Sequence, residues 1–86
     1  MSFEPSLVRQ GLDWLLEHFP HLDVVKVEWQ TEDGHWTGPW VLVEMGQPSL
    51  GGIAAWAVWK FAIWRETGAV YQMHDGAVSD DPDFVP

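Results

Sequence analysis

His18 and His21 stand in an H-x-x-H spacing, the first arrangement in this chain that raises the question of metal chemistry. A zinc site needs three or four ligands. Pro20 lies between the two histidines and breaks the helix that would align them, and the chain has no cysteine to complete a set. His35 and His74 lie in or beside Asp-Gly turns, where imidazoles are usually solvated. If the two turns met, Asp33, His35, His74 and Asp75 would form a mixed site, but no spacing demands it. The acidic residues Asp75, Asp80, Asp81 and Asp83 lack the alternating oxygen pattern of a calcium loop. Ser2, Ser6, Ser49 and Ser79 have no base near them in sequence. No nucleophile elbow, phosphate-binding loop, dinucleotide fingerprint or H-E-x-x-H occurs. The expectation is a protein without enzymatic activity, cofactor or resident metal.

The distinctive side chains are the indoles, seven in 86 residues. Trp56, Trp59 and Trp64 fall in the nearly all-apolar stretch from Ile53 to Trp64, whose only charge is Lys60. Read as a helix, this stretch places Ala54, Ala57, Val58, Phe61 and Ala62 on one side and Ile53, Trp56, Trp59, Ile63 and Trp64 on the other. A surface helix should show a polar face about as wide as its apolar one, and this one shows almost none. One face therefore packs inward, and Trp56, Trp59, Lys60, Ile63 and Trp64 become the expected partner-binding surface. Lys60 would lie one turn from both Trp56 and Trp64, close enough for its ammonium to sit over an indole. A second aromatic group offers an alternative, ligand-binding site. Trp36 and Trp40 flank Thr37-Gly38-Pro39 in a broken strand, with Glu44 beyond. Such indoles can stack on a sugar or a proline-rich peptide, or cage an ammonium group beside the carboxylate.

The elements that must position these residues follow from periodicity. Pro5 suits the first turn of a helix, and Val8, Leu12, Leu15, Leu16 and Phe19 form its apolar face. Pro20 ends it, and Gly11 weakens its centre by up to about 1 kcal/mol. Val25, Val27 and Trp29 alternate with polar residues as a strand, and Asp33-Gly34 turns the chain. Trp40 to Met45 reads as a second strand, apolar on both faces except at Glu44, so each face should be covered. Ser49 is a plausible cap for the Ile53–Trp64 helix, and Gly68 a natural residue to follow its end. Val70 to Met73 forms a third strand, Asp75-Gly76 a turn, and Ala77-Val78 a short fourth strand. The predicted fold is α+β in α-β-β-α-β-β order: a two-layer sandwich with an antiparallel sheet of three or four strands on two helices. Residues 1–79 make one domain and 80–86 an acidic tail, with Phe84 its one possible anchor.

Charge sets the class of partner. Thirteen acidic against four basic residues give a formal net charge of −9. Arg9, Lys26, Lys60 and Arg65 lie on three different elements and form no linear basic cluster, so nucleic acid is excluded as an expected partner. The apolar stretch contains Gly51, Gly52 and Lys60 and falls short of the roughly 20 residues of a membrane span. The first residues lack the basic and apolar regions of a secretory leader, and with no cysteine a cytoplasmic location is expected. The function these features suggest is a protein-binding module of inhibitor, immunity or adaptor type. It would use the tryptophan-rich face and an acidic surface, bind a partner that carries basic charge, and form a homodimer. The alternative is a small-ligand binder with a Trp-lined pocket between helix and sheet.

Overall fold

A computed structural model describes residues 5–28, 38–48, 56–74 and 76–86. One helix, α1 (Pro5–His18), precedes strands β1 (Asp23–Glu28), β2 (Trp40–Pro48), β3 (Trp56–Trp64), β4 (Val70–His74) and β5 (Ala77–Val78). The strands form one antiparallel meander in the order β1-β2-β3-β4-β5. The fold is α+β, but the order is one helix and then five strands, not α-β-β-α-β-β. No described helix is long and apolar enough to cross a membrane.

The expected second helix is β3. Its nine residues pair with the nine of β2 in unbroken register, from Trp40 opposite Trp64 to Pro48 opposite Trp56. The stretch is apolar on both faces because β3 lies at the centre of the sheet, and a central strand loses the alternation that marks a half-exposed one. Continuous apolarity does not separate a buried helix from a buried strand. The composition does: Val58 and Ile63 are β-branched, and Trp56, Trp59, Phe61 and Trp64 are aromatic. Pairing also satisfies the backbone groups of β2, which a helix at 53–64 would have left without a neighbour on that side.

α1 lies against one face of the sheet. Val8, Gly11 and Leu15 are its buried stripe, meeting Val41, Val43, Met45, Phe61, Ile63 and Val70. Phe19 follows the helix and packs its ring 5.4 Å from that of Phe61. Leu16, expected on the inner face, is exposed. Gly11 has a use that propensity hides. A Cβ there would fall 2.8 Å from Cγ2 of Ile63 and 3.2 Å from the carbonyl oxygen of Gly68, so glycine sets how closely helix and sheet approach.

The last residues run beside β4. The Val70 N–H donates to the Phe84 carbonyl at 2.9 Å, and the Asp83 N–H donates to the Val70 carbonyl. The Phe84 ring stacks on Trp14 at 5.5 Å. Trp14 also meets the ring of Phe19 edge-on and stacks on His18 at 4.1 Å. These contacts raise the cost expected for losing the tail's anchor. Phe84→Ala should lower the unfolding free energy by about 2 kcal/mol, below the range for a wholly buried phenylalanine because this ring is half-buried. Val85→Ala, at an exposed site, should cost less than about 0.5 kcal/mol. Urea denaturation of the two variants measures the difference, and equal losses would contradict the anchoring role.

Candidate functional site

Strand geometry splits the expected partner-binding residues between two faces. Successive side chains of a strand point to opposite sides. Trp59, Phe61 and Ile63 share the α1 side, opposite Met45, Val43 and Val41, whereas Val58, Lys60, Ala62 and Trp64 share the other, opposite Gly46, Glu44, Leu42 and Trp40. Ile63 is wholly buried beneath α1 and cannot meet a partner. Trp59 is 37% exposed, on the α1 side. Lys60 and Trp64 lie on the opposite face, while Trp56 holds the strand position paired with Pro48. The five residues do not form one surface, because the period of two replaces the helical period that brought them together.

That opposite face is the candidate site. Among the described residues no helix or strand packs over it. One end is aromatic. The Trp40 and Trp64 rings lie 4.5 Å apart, edge to face, and the Tyr71 ring meets Trp40 at 5.3 Å and nearly perpendicular. Edge-to-face contacts of this kind add roughly 0.5–1.5 kcal/mol beyond buried area. All three rings remain half-exposed. Ala62, in register with both Leu42 and Tyr71, is fully buried and leaves room for the larger side chains around it. The indoles at 40 and 64 are cross-strand partners, far apart in sequence, and only the β2–β3 register reveals the pair.

The middle of the face is charged. Lys26, Glu44 and Lys60 follow one another across β1, β2 and β3, and Glu28 lies two residues along from Lys26. Lys26 forms an ion pair with Glu28. The hydrogen bond and charge of Glu28 hold the Lys26 ammonium above its ordinary value of 10.5, with Glu44 contributing in the same direction. A group whose folded pKa is raised favours folding while protonated. Any stabilisation from this pair is therefore present at neutral pH and is lost as pH climbs past that range, and at so exposed a pair it is small. Lys26, Glu28, Leu42, Glu44, Lys60 and Met73 line a cleft of about 240 Å³. A second cleft of about 310 Å³ lies between the Val58–Lys60 part of β3 and the β4–β5 hairpin.

Of the alternative ligand-binding residues, Trp40 and Glu44 are on this face, and Trp36 lies outside the described residues. The Trp-lined pocket was expected between helix and sheet, where the space is instead filled by the core. The turn residues Asp33, His35 and Asp75 and the cap Ser49 also lie outside the described residues. The His18 ring is engaged locally, its Nδ1 donating to the Trp14 carbonyl at 3.0 Å, and the described residues contain no cluster of three metal-ligating side chains. Sequence reasoning missed two features. Trp14 joins α1 to the C-terminal segment, and Tyr71 completes the aromatic end of the face. The period of two in β4, which puts Tyr71 and Met73 on one side, was the signal for the second.

No family of known proteins, no curated protein and no solved structure matches this chain.

Proposed function

We propose that this protein is a non-enzymatic protein-binding module whose contact surface is the uncovered face of its sheet. The observation that carries this reading is the juxtaposition on one face of the Trp40–Trp64–Tyr71 cluster with the Lys26–Glu44–Lys60 row. Half-exposed tryptophan and tyrosine rings supply large contact area with little entropy to lose, and such residues dominate protein interfaces. Charged groups beside them set orientation more than affinity. A small-ligand reading is less well supported. The two clefts that reach this face, of about 240 and 310 Å³, lie at or below the small end of the usual range of about 300–1,000 Å³. The acidic surface elsewhere remains free to draw a partner of basic charge, and that contact should weaken as salt rises.

Photo-crosslinking tests the contact surface. A benzoylphenylalanine introduced at Val58, 42% exposed and on the uncovered face, should yield covalent protein adducts on irradiation in cells. The same group at Asp13, on the exposed side of α1, should yield none. Absence of adducts from position 58, or equal adducts from both positions, would remove the face as the contact surface.

A further inference from the structure

The uncovered face is electrically unlike the rest of the molecule. Among the described residues it carries Lys26 and Lys60 against Asp23, Glu28 and Glu44, a formal −1, although the chain as a whole stands at −9. Two of the four basic residues of the chain are gathered here. The other exposed carboxylates of the described residues lie elsewhere: Asp13 and Glu17 on the outer side of α1, Glu66 after β3, and Asp80, Asp81 and Asp83 in the C-terminal segment. Two copies meeting through those surfaces would bring like charges together. Meeting through this face, which stands at −1, they would bring far fewer together.

Resting on the protein-binding reading above, we infer that the occupant of this face is a second copy of the same chain, packed sheet to sheet about a twofold axis. An isologous contact requires a self-complementary patch, and the residue rows supply one. Consider an axis lying across the strands, midway between the row Lys26–Glu44–Lys60–Met73 and the row Glu28–Leu42–Ala62–Tyr71. It sets Lys26 over Glu28 of the partner subunit and Glu28 over Lys26 of the partner subunit. Trp40 comes over Gly46 of the partner subunit, Trp64 over Val58 of the partner subunit, and Lys60 over Ala62 of the partner subunit. At these last three positions large side chains oppose small ones, while Glu44 comes over Leu42 of the partner subunit and Met73 over Tyr71 of the partner subunit, with the rows offset by the usual sheet twist of roughly 30°. A basic protein partner is disfavoured here, since it is drawn to the carboxylates outside this face.

Charge reversal in two complementary variants tests the inference. Lys26→Glu/Lys60→Glu makes all five described charges of the face negative, and Glu28→Lys/Glu44→Lys makes four of the five positive, leaving Asp23. By light scattering at about 100 μM, a concentration that detects even weak association, the unaltered chain should have twice the 9.8 kDa monomer mass. Each variant alone should be monomeric, its self-association weakened about 100-fold or more by like charges in register. An equimolar mixture should restore the dimer. Circular dichroism confirms that each variant is folded. If a double variant does not fold, Lys60→Glu alone, at an exposed site, should weaken the dimer by about tenfold or more. A monomeric unaltered chain, variants that dimerise as well as it does, or a folded mixture that stays monomeric would each overturn the inference. Adducts at position 58 separate its failure from that of the broader reading. A monomer still crosslinked there to a different protein refutes self-association alone, and a monomer giving no adducts refutes both.

Discussion

Gly68→Ala should be among the most damaging substitutions in this protein, costing about 3 kcal/mol or more. Gly68 closes the turn between β3 and β4. Its N–H donates to the Trp64 carbonyl at 2.7 Å, and the Trp64 N–H donates to the Ala69 carbonyl at 2.8 Å. The turn needs a left-handed residue, and Gly68 has φ of +79°. An L side chain there costs roughly 1–2 kcal/mol from local sterics alone. A second cost comes from packing. The new Cβ would stand 2.6 Å from the carbonyl oxygen of Leu7, a backbone atom of α1 that can yield only if the helix moves. Gly76 is the internal control. Its φ of +80° is nearly the same, but nothing lies within 4 Å of an added Cβ. Gly76→Ala should therefore show the conformational cost alone, about 1–2 kcal/mol. The difference between the two urea midpoints, at equal m-values, reads the helix contact directly. Equal losses would show that the turn does not abut α1.

Ile63→Ala should cost about 3–4 kcal/mol, a large share of the stability of a domain this size. Ile63 is fully buried at the centre of the sheet, opposite Val41 and Val70 and beneath Gly11 of α1. Its test is a double-mutant cycle. Gly11→Ala raises helix propensity by up to about 1 kcal/mol, yet it should destabilise by roughly 1–2 kcal/mol because the methyl group meets Cγ2 of Ile63, a branch that a packed sheet cannot release. With Ile63→Ala already in place, the methyl group at position 11 enters the space vacated and should become neutral or stabilising. The coupling between the two should reach at least about 1 kcal/mol. Additive losses would mean that helix and sheet do not touch at this point.

Trp59 and Trp64 show what was lost by reading β3 as a helix. On a helix they belong to one exposed apolar stripe. On the strand Trp64 joins Trp40 and Tyr71, whereas Trp59 faces the α1 side. The expected dimer surface on a helix face therefore has no counterpart, and the self-association proposed here uses a different set of residues: Trp40, Trp64, Lys26, Glu28, Glu44 and Lys60. Only Lys60 and Trp64 are common to the expected partner-binding surface. The expectation that both faces of β2 are covered also gives way. One face meets α1, and the other carries the half-exposed Trp40, Leu42 and Glu44.

By itself the sequence determined whatever local chemistry decides. The α1 helix from Pro5 follows from its apolar spacing and the break at Pro20. The strand nature of Val25–Val27, Trp40–Met45 and Val70–Met73 follows from β-branched and aromatic residues, and Gly76 turns β4 into β5 where Asp-Gly predicts. Its small size, lack of cysteine and charge of −9 needed no structure at all. The tertiary structure decided the rest, because the deciding interactions are non-local. A continuous apolar run carries no period, so the partner available to it, the full length of β2, made β3 a strand. Cross-strand register then chose which side chains share a face, bringing Trp40 to Trp64 and Lys26 to Glu44 and Lys60 across wide gaps in the chain. Gly11, unfavourable in an isolated helix, became necessary only once Ile63 was packed beneath it.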